Sequence, residues 1–568
     1  VAAGEGTDTL VIDNATYAAT AALGAKYTGF ETLNVSAVSQ DVSLISGITS
    51  VNVAAATSKA ITGLNATQAA NITVTGDQTT ASTFALTTAT GTADALTLNL
   101  GTGLAATAAT SLNTSLVVTG FETLNLNTNQ GPNATVANSV STVGAITGAT
   151  LANINLTGGG FSIANAATTL ATTIDGSALT GVLTVGGNVI AGSSIIGGAG
   201  ADLFTAGTAN GSSYTGNAGN DQLTATVAQM VATGTNDTSF AGGAGTDTLA
   251  ISTAAPTLTD NHFTNVTGIE AITLSTGAIS LTTGAAFNTA VDTAVTITDA
   301  VTAATNTVTM AMGLANDDIT ITSIGGAQTG ATTEDVNITT GSGDDTVTFS
   351  ATGWIGVAGA SGELNISTGA GDDTISVTQG TLLAVTGAQS ASITGGTGAD
   401  TITSVHVNAA TGLTVSFNFA AGDSTLSGYD TITGYDLATA SLLSDKLDFS
   451  GTATIGTLGT QNDYGTIASS NVATAGVATF DDAAGFATAL IIDSTNLADV
   501  VGYLNANTAV EDTMAFLFDS TGNGVADSTM VYHNETGTND TIVLLSGETG
   551  INTLIAANAH TLNDAFVL

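Results

Sequence analysis

The sequence predicts an all-β protein: a parallel β-solenoid with β-roll-like coils, followed by a small mixed α+β cap at the C-terminus. Thr, Ala, Val, Ile and Gly dominate the 568 residues, and only two prolines occur; this composition favours strands and turns. Short segments alternate apolar and polar residues, as half-buried strands do. A glycine-rich turn closing on aspartate recurs before such strands, which is typical of coils that stack on one another.

The glycine–aspartate turn occurs six times with the same order of residues. Its glycines adopt backbone angles that other residues resist, so main-chain carbonyls can point inward. Its aspartate supplies a hard anionic oxygen, and Ca²⁺ prefers about six to eight oxygen ligands. The pattern therefore predicts several bound Ca²⁺ ions. The copies lie at 197–203, 216–223, 242–249, 341–347, 369–375 and 395–402.

The later aspartates follow a regular spacing along the chain. Asp317, Asp345, Asp373, Asp400 and Asp430 are 28, 28, 27 and 30 residues apart, and each precedes a short apolar–polar strand. This spacing predicts wide coils with one aspartate turn per coil, whose neighbours lie about 4.8 Å apart. Carboxylates aligned at that distance repel one another unless a cation sits among them. We therefore expect a ladder of metal ions along this corner of the solenoid.

These patterns give one set of candidate calcium ligands. The competing interpretation is turn chemistry alone, because Gly and Asp both favour turns; six copies in a common phase favour calcium. Asp317 and Asp430 lack the full glycine pattern, so for them the two readings are evenly balanced. For the oxygen-rich loop 519–527, a plain hairpin turn is an equally good reading. The candidates are Asp202, Asp221, Asp247, Asp317, Asp345, Asp373, Asp400, Asp430, Gly200, Gly219, Gly245, Gly343, Gly371, Gly398, Asp519 and Asp527.

A second repeat pairs an Asp-x-Leu strand start with a later Glu-x-Leu or Glu-x-Ile strand. The Asp-to-Glu separations are 23, 28 and 23 residues. The glutamates are open to three interpretations: calcium ligands, contacts between subunits, or solvated carboxylates at a strand edge, of which the last is the commonest case. The pairs are Asp8 with Glu31, Asp94 with Glu122 and Asp247 with Glu270.

The charge balance excludes several partners. Three lysines and no arginine stand against 45 acidic residues, giving a formal net charge of −42. Nucleic acid and anionic lipid surfaces need basic side chains, so neither is an expected partner. The carboxylates must be solvated, protonated or bound to metal. Cysteine is absent, so metal ions would take the stabilising place of disulfides. No apolar run is long enough to predict a transmembrane segment.

The chain divides into four predicted regions: 1–190, 191–250, 251–440 and 441–568. In the last region we expect helices at 481–487 and 495–504, with Thr495 capping the second, and strands at 514–518, 529–533 and 541–545. No H-E-x-x-H or G-x-S-x-G motif occurs. Trp354 is the only tryptophan in the sequence, and it offers little aromatic surface on which a sugar could stack. We therefore predict that the protein is not an enzyme. A lone surface position is expected for each histidine: His262, His406, His533 and His560.

Together, the turns and composition resemble RTX (repeats-in-toxin) proteins, and the Thr/Ala/Gly-rich body resembles bacterial surface-layer proteins exported by type I secretion. Residues 430–436 and 445–449 are similar to the junction after RTX repeats, and 562–568 are similar to an uncleaved export signal. The resemblance implies a secreted protein that self-assembles with calcium on the cell surface. Attachment to glycan or lipopolysaccharide would use a part preceding Val1. The alternatives are the stalk of a large RTX adhesin and, less favoured, a secreted glycan-active enzyme.

Overall fold

The fold was analysed in a computed structural model of the chain. The residues that it describes are 1–36, 38–54, 59–89, 91–101, 110–128, 140–165, 172–187, 189–207, 211–230, 237–254, 256–274, 280–299, 306–313, 317–322, 333–351, 361–379, 389–405, 413–437, 445–450, 453–458, 462–474, 476–536, 540–551, 554–555 and 566–567. Trp354, His406, His560 and most of the segments that link successive coils after residue 322 lie outside these ranges.

The chain forms two compact units, each built from stacked parallel strands. Unit 1 is Val1–Thr253 with Asn261–Ile272 and Thr289–Asp292, and unit 2 is Ala254–Asp260, Thr273–Asn288 and Thr293–Leu568. Both contain parallel coils, which confirms the predicted all-β solenoid class. The four-part division remains a prediction.

In unit 1 the chain alternates between two parallel sheets, so each coil adds one strand to each sheet. The first sheet contains Thr9–Ile12, Thr32–Val35, Ser50–Val53, Ile72–Val74, Ala95–Leu100, Thr123–Thr128, Asn153–Gly158, Thr173–Leu179, Ser194–Ile196, Ser213–Ala218, Ser239–Ala244 and Val266–Thr267. The second contains Gln40–Asp41, Lys59–Leu64, Ser82–Leu86, Leu112–Thr119, Val140–Thr147, Gly160–Asn165, Leu183–Val185, Leu203–Thr205, Gln222–Ala225, Thr248–Ile251 and Ile269–Leu274.

Unit 2 repeats this arrangement with longer strands. One sheet contains Val291–Asp299, Asp318–Thr322, Thr346–Ala351, Thr374–Gln379, Thr401–Val405 and Asp430–Thr433. The other contains Thr257–Leu258, Ser280–Thr282, Asn306–Ala311, Thr333–Thr339, Ser361–Ala370, Gln389–Thr397, Leu413–Phe419, Lys446–Phe449, Phe566–Val567 and Leu554–Ile555. The pairing Ile319↔Val347 and Val347↔Ile375 confirms the predicted coil of about 28 residues.

Alternation of side chains along each strand builds the core. In Thr123–Thr128, Leu124 and Leu126 are fully buried, while Asn125 points to the outer face. There Asn125 accepts a hydrogen bond from Asn155 Nδ2 at 2.8 Å and donates to Thr97 Oγ1 at 3.2 Å. Polar side chains thus stack from coil to coil on the outer face of the sheet, and branched apolar side chains stack in the core. This is why the Thr-rich, strictly alternating sequence forms stacked coils.

A cap built mainly from antiparallel strands closes the solenoid in unit 2. Its strands are Thr454–Ile455, Ser469–Thr474, Val477–Asp481, Asp512–Phe518, Ser528–His533 and Thr541–Ser546. Thr541–Ser546 adds parallel to the solenoid strand Asp430–Thr433. The predicted strands at 514–518, 529–533 and 541–545 are confirmed.

Two predictions for the cap were wrong. Residues 481–487 are not a helix; Asp481 organises a turn there by accepting from the N–H groups of Ala483, Ala487 and Thr488. His533 is not a surface residue: it is 0% exposed and stacks on Phe449 at 4.6 Å between ring centroids. Alternation in a short strand cannot reveal that both faces are covered.

The helices are short and mostly lie at coil corners. They are Ala21–Gly24, Ala66–Ala69, Val227–Met230, Ala285–Ala290 and Leu497–Asn507, with 3₁₀ turns at Val42–Leu44 and Asp260–Phe263. Leu497–Asn507 confirms the second predicted cap helix, but its N-cap is Asn496 instead of Thr495. In the described ranges, no helix is both long and apolar enough to cross a membrane.

Candidate metal-binding ladder

Eight of the predicted aspartates occupy the same place in successive coils, one residue before or at the start of a strand. We call Asp202, Asp221, Asp247, Asp317, Asp345, Asp373, Asp400 and Asp430 the ladder aspartates. Each is at most 1% exposed, so the structure places them inside the coil corner and not on its surface. Register pairing brings them one above another in two runs, 202–247 and 317–430.

One carboxylate oxygen caps the previous coil on the rungs Asp202, Asp221, Asp247, Asp345, Asp373, Asp400 and Asp430. In the first run, the N–H groups of Leu183, Asp202 and Asp221 donate to the Oδ1 atoms of Asp202, Asp221 and Asp247 at 2.6, 2.6 and 2.7 Å. In the second, the N–H groups of Asp317, Asp345, Asp373 and Asp400 donate to the Oδ1 atoms of Asp345, Asp373, Asp400 and Asp430 at 2.7, 2.8, 2.9 and 2.9 Å. Each aspartate therefore fixes the register of its neighbour.

The second carboxylate oxygen has no donor on most rungs. At the start of the first run, Asp202 Oδ2 accepts from the N–H of Gly198 at 2.7 Å. A buried carboxylate oxygen without a donor costs free energy unless it is protonated or meets a cation. The Oδ2 atoms that are buried and without a hydrogen-bond partner belong to Asp221, Asp247, Asp345, Asp373, Asp400 and Asp430.

Burial raises the pKa values of six ladder carboxyls. It raises the pKa of Asp202 and Asp221 to about 6, and that of Asp247 and Asp373 in the same direction. Burial, with neighbouring carboxylates adding to it, raises the pKa of Asp400 to about 7. For Asp430, burial and then the charge of Asp400 raise the pKa to about 9. The corner thus favours a proton or a cation on these six carboxyls.

A cradle lies beside the second oxygen, in front of the first glycine of the turn. A Cβ atom added to Gly216 would overlap both Asp221 Oδ2 and the carbonyl oxygen of Gly242 in the next coil. At Gly242 the same added atom would overlap Asp247 Oδ2 and the carbonyl oxygen of Gly268. A carboxylate oxygen and a main-chain carbonyl oxygen therefore converge where glycine leaves room, as oxygen ligands of Ca²⁺ do.

Sequence reasoning missed these first-position glycines. Gly197, Gly216 and Gly242 each meet a ladder carboxylate and a main-chain carbonyl oxygen, and Gly395 meets the carboxylate of Asp400. The signal was present, because a glycine five residues before the aspartate begins each of these four turns.

The predicted glycines two residues before the ladder aspartates stack directly on one another. An added Cβ at Gly219, Gly245, Gly371 or Gly398 would overlap the carbonyl oxygen of the equivalent glycine one coil earlier, and all four have φ between 128° and 148°. Gly343 also has a positive φ of 129°, and Gly200 is the glycine on which Gly219 stacks. Close backbone approach requires glycine at these positions; their part in metal binding stays a prediction.

The glutamates of the second repeat are rungs of the same kind. Glu31, Glu122 and Glu270 accept through Oε2 from the N–H groups of Asp8, Asp94 and Asp247 at 2.9, 2.8 and 2.7 Å. The pairing Thr9↔Thr32 places Asp8 and Glu31 at equivalent positions of adjacent coils. The two sequence repeats therefore describe one structural device, and the Asp-to-Glu separation is one coil.

The last rung is joined to the cap. The N–H of Asp430 donates to Ser424 Oγ at 2.7 Å, and that hydroxyl in turn donates to the carbonyl oxygen of Ile542. The N–H of Ile542 donates back to the Ser424 carbonyl at 2.9 Å. Ser424, which is fully buried, thus ends the ladder and begins the cap.

The loop 519–527 uses its aspartates differently. Asp519 accepts from the N–H groups of Gly522 and Asn523 through Oδ1 and from Gly524 through Oδ2. Asp527 accepts from the N–H and hydroxyl of Ser520. Both carboxylates thus have donors within their own loop.

A purely side-chain metal cage is not formed in the described ranges, where no three or more Asp, Glu, His or Cys side chains gather to hold one ion. Any calcium at the ladder would need main-chain carbonyl oxygens beside the carboxylates, and the cradles supply such oxygens. Comparison with protein-family models finds no match, and comparison with curated proteins finds none either.

Proposed function

We propose that the protein is a structural subunit of a calcium-dependent bacterial surface layer, secreted and self-assembling into a two-dimensional lattice. One observation carries the proposal: a column of buried carboxylate oxygens without donors in a chain with 3 basic and 45 acidic residues. Such a column of buried carboxylates would destabilise a metal-free protein at neutral pH, because the chain has only three basic side chains to neutralise it.

Calcium would be held at the corner by Asp221, Asp247 and Asp400 through Oδ2, with carbonyl oxygens such as those of Gly242 and Gly268 beside them. The ion supplies positive charge and accepts several oxygen ligands at once. It would neutralise the rungs and fix the spacing of successive coils. Extended coils locked in this way suit a scaffold, since a scaffold needs a rigid body of defined length.

Calcium would also act between subunits. Most of the other carboxylates in the described part of the chain lie outside the core, and a formal net charge of −42 keeps copies apart in the absence of counter-ions. Divalent cations that bridge acidic faces convert this repulsion into association. The RTX-type resemblance of the turns supports export to the cell surface.

The test is electron microscopy of the purified protein in millimolar Ca²⁺ and after EGTA treatment. We expect ordered arrays in calcium that dissolve on chelation. Well-folded monomers in calcium would favour the adhesin stalk and overturn the surface-layer assignment. Arrays and circular dichroism that are both unchanged by EGTA would overturn the role of calcium.

A further inference from the structure

One of the three lysines is enclosed by the protein. Lys59 begins the strand Lys59–Leu64 in the second sheet of unit 1, and its side chain is buried, with 2% of the residue exposed. A buried ammonium ion is costly unless acceptors surround it. In the described part of the chain, the hydrogen-bond partners of Lys59 include no carboxylate, and all of them are main-chain carbonyl oxygens.

Three carbonyl oxygens converge on the ammonium group of Lys59. Its Nζ atom donates to the carbonyl oxygens of Val35 at 2.8 Å, Ser36 at 2.9 Å and Ala54 at 2.8 Å. An ammonium group has three N–H donors, so every donor has an acceptor. We call these three oxygens the carbonyl cage.

The carbonyl cage joins two adjacent coils. Val35 ends the strand Thr32–Val35, and Ala54 follows the strand Ser50–Val53, which pairs with it in parallel. The N–H of Ala54 also donates to the carbonyl oxygen of Val35 at 3.1 Å. Lys59 therefore binds both coils at the point where the chain leaves the first sheet.

The distances and the neutral ligands favour a monovalent cation. Contacts of 2.8 and 2.9 Å match charge-assisted N–H···O hydrogen bonds of about 2.7–2.9 Å. They are longer than the about 2.3–2.6 Å at which oxygen ligands bind Ca²⁺. Burial lowers the pKa of Lys59 to about 8, so the group still carries its charge at pH 7. One positive charge thus meets three neutral oxygens, whereas the cradles of the ladder include carboxylates.

Neutral amide groups donate to carbonyl oxygens in the same part of unit 1. Gln78 is 1% exposed and donates through Nε2 to the carbonyl oxygen of Ala54 at 3.1 Å. Gln40 is 3% exposed and donates through Nε2 to the carbonyl oxygen of Asp41 at 2.7 Å. This part of the fold therefore presents inward-facing carbonyl oxygens, and Lys59 meets them with a full positive charge.

We propose that the carbonyl cage is a monovalent-cation site that the chain fills with its own ammonium group. If the side chain of Lys59 were removed, the cage would accept an ammonium or potassium ion, because carbonyl oxygens replace the hydration shell of such ions. The tethered cation holds two coils of unit 1 together without calcium. The inference is independent of the proposed surface-layer function, since it needs neither calcium nor a second copy of the chain.

Chemical rescue of Lys59→Ala in the full chain tests the proposal, with amide hydrogen exchange of residues 32–35 and 50–53 as the readout. Exchange there should become roughly tenfold faster or more, as loss of hydrogen bonds to a charged group predicts. Ammonium chloride or potassium chloride should slow it again. Tetramethylammonium chloride at the same concentration should not, because that ion is bulky and has no N–H group. All samples contain the same calcium concentration, so the ladder is unchanged.

Two further variants control the experiment. Lys26→Ala removes an exposed lysine and should leave exchange in these strands as in the wild type. Lys59→Gln keeps an amide donor of the kind that Gln78 supplies, so it should speed exchange less than Lys59→Ala. It also carries the test if the alanine variant does not fold, because full loss of protection in Lys59→Gln with no recovery in ammonium or potassium would overturn the proposal.

Reductive methylation of the wild-type protein, read by mass spectrometry, gives a measurement that needs no variant. Lys26 should be modified, and Lys59 should stay unmodified because its three donors are held in the cage. The proposal is overturned if Lys59 reacts as fast as Lys26 in the folded protein. It is also overturned if Lys59→Ala exchanges as the wild type does, or if all three salts act on it equally.

Discussion

The ladder corner and the loop 519–527 have similar sequences, but their carboxylates differ in how many hydrogen-bond donors they receive. Both combine glycine, aspartate and small polar residues. In the loop, N–H groups of the same turn reach both oxygens of Asp519. On most rungs of the ladder, the preceding coil supplies one N–H group to the first carboxylate oxygen, and the second oxygen receives none. The supply of donors, more than the residue types, distinguishes a self-sufficient turn from a candidate ion site.

The pKa directions express the same contrast. Burial alone would raise the pKa of Asp519, but the N–H groups of Gly524, Asn523 and Gly522 outweigh it and lower the pKa. Hydrogen bonds from Ser520 lower the pKa of Asp527. Burial raises the pKa of Asp202, Asp221, Asp247, Asp373 and Asp400, and it raises the pKa of Asp430 to about 9. Hydrogen-bond donors stabilise the ionised form of a carboxylate, and burial without donors destabilises it.

Removal of calcium should give the largest effect. At neutral pH, EGTA should destabilise the ladder coils, because each vacated site loses about 2.7 kcal/mol when calcium had been present at 100 times its dissociation constant. Hydrogen exchange read by mass spectrometry should show faster exchange in 197–251 and 341–405. The loop 519–527 is the internal control and should not respond directly to calcium. Equal exchange in all three regions with and without EGTA would contradict the contrast.

Acid should replace calcium at the ladder. A carboxyl whose folded pKa is raised contributes stability that is complete below its unfolded pKa of 3.8 and is lost as pH rises through the folded value. With folded pKa values of about 6, 7 and 9 at Asp221, Asp400 and Asp430, the metal-free protein should melt higher at pH 5 than at pH 8. Calorimetry in EGTA across this range measures it. A melting temperature that rises toward pH 8 would refute the assignment.

Substitutions at a single ladder aspartate should distinguish the contributions of its two carboxylate oxygens to stability and to calcium binding. Asp373→Leu removes the acceptor for the N–H of Asp345 and should cost about 1–3 kcal/mol of unfolding free energy, because a buried donor is left unpaired. Asp373→Asn keeps an acceptor but loses the charge, so it should retain metal-free stability and respond less to calcium. Urea unfolding with and without calcium reports both.

Asp527→Asn in the loop is the matched control for that pair. It should leave the calcium response intact, because its carboxylate is held by Ser520. If Asp373→Asn and Asp527→Asn respond to calcium equally, the second oxygen of the rung has no special part.

The sequence predicted the coil spacing, the register of the aspartates and the cap hairpin, because each depends on local alternation and regular spacing. It did not predict that the rungs are buried or that Glu31, Glu122 and Glu270 belong to the same ladder. Both depend on which N–H lies opposite in the adjacent coil, a relation across 23 to 28 residues. The wrong helix prediction at 481–487 has a local cause: acidic and small residues suggested a helix, but the Asp481 side chain accepts hydrogen bonds from the N–H groups of Ala487 and Thr488 and forms a turn instead.

The glutamate rungs should give the smallest effect. Glu122→Ala removes the acceptor for the N–H of Asp94, which is only partly buried, so the loss should be about 0.5–1.5 kcal/mol. Glu122→Gln keeps a carbonyl oxygen in reach and should be nearly neutral. Thermal unfolding of both variants, compared with wild type at one calcium concentration, decides this. Equal losses in both would mean that the charge of Glu122 matters more than its hydrogen bond.

The central claim is that the second carboxylate oxygens of Asp221, Asp247 and Asp400 hold calcium ions, with main-chain carbonyl oxygens such as those of Gly242 and Gly268 as further ligands. A crystal structure of the full chain grown in calcium, with anomalous difference density, tests it most directly. We predict density in the cradles in front of Gly216, Gly242 and Gly395, within bonding distance of Asp221, Asp247 and Asp400 Oδ2. Cradles without an ion in a structure that contains calcium elsewhere would contradict the account.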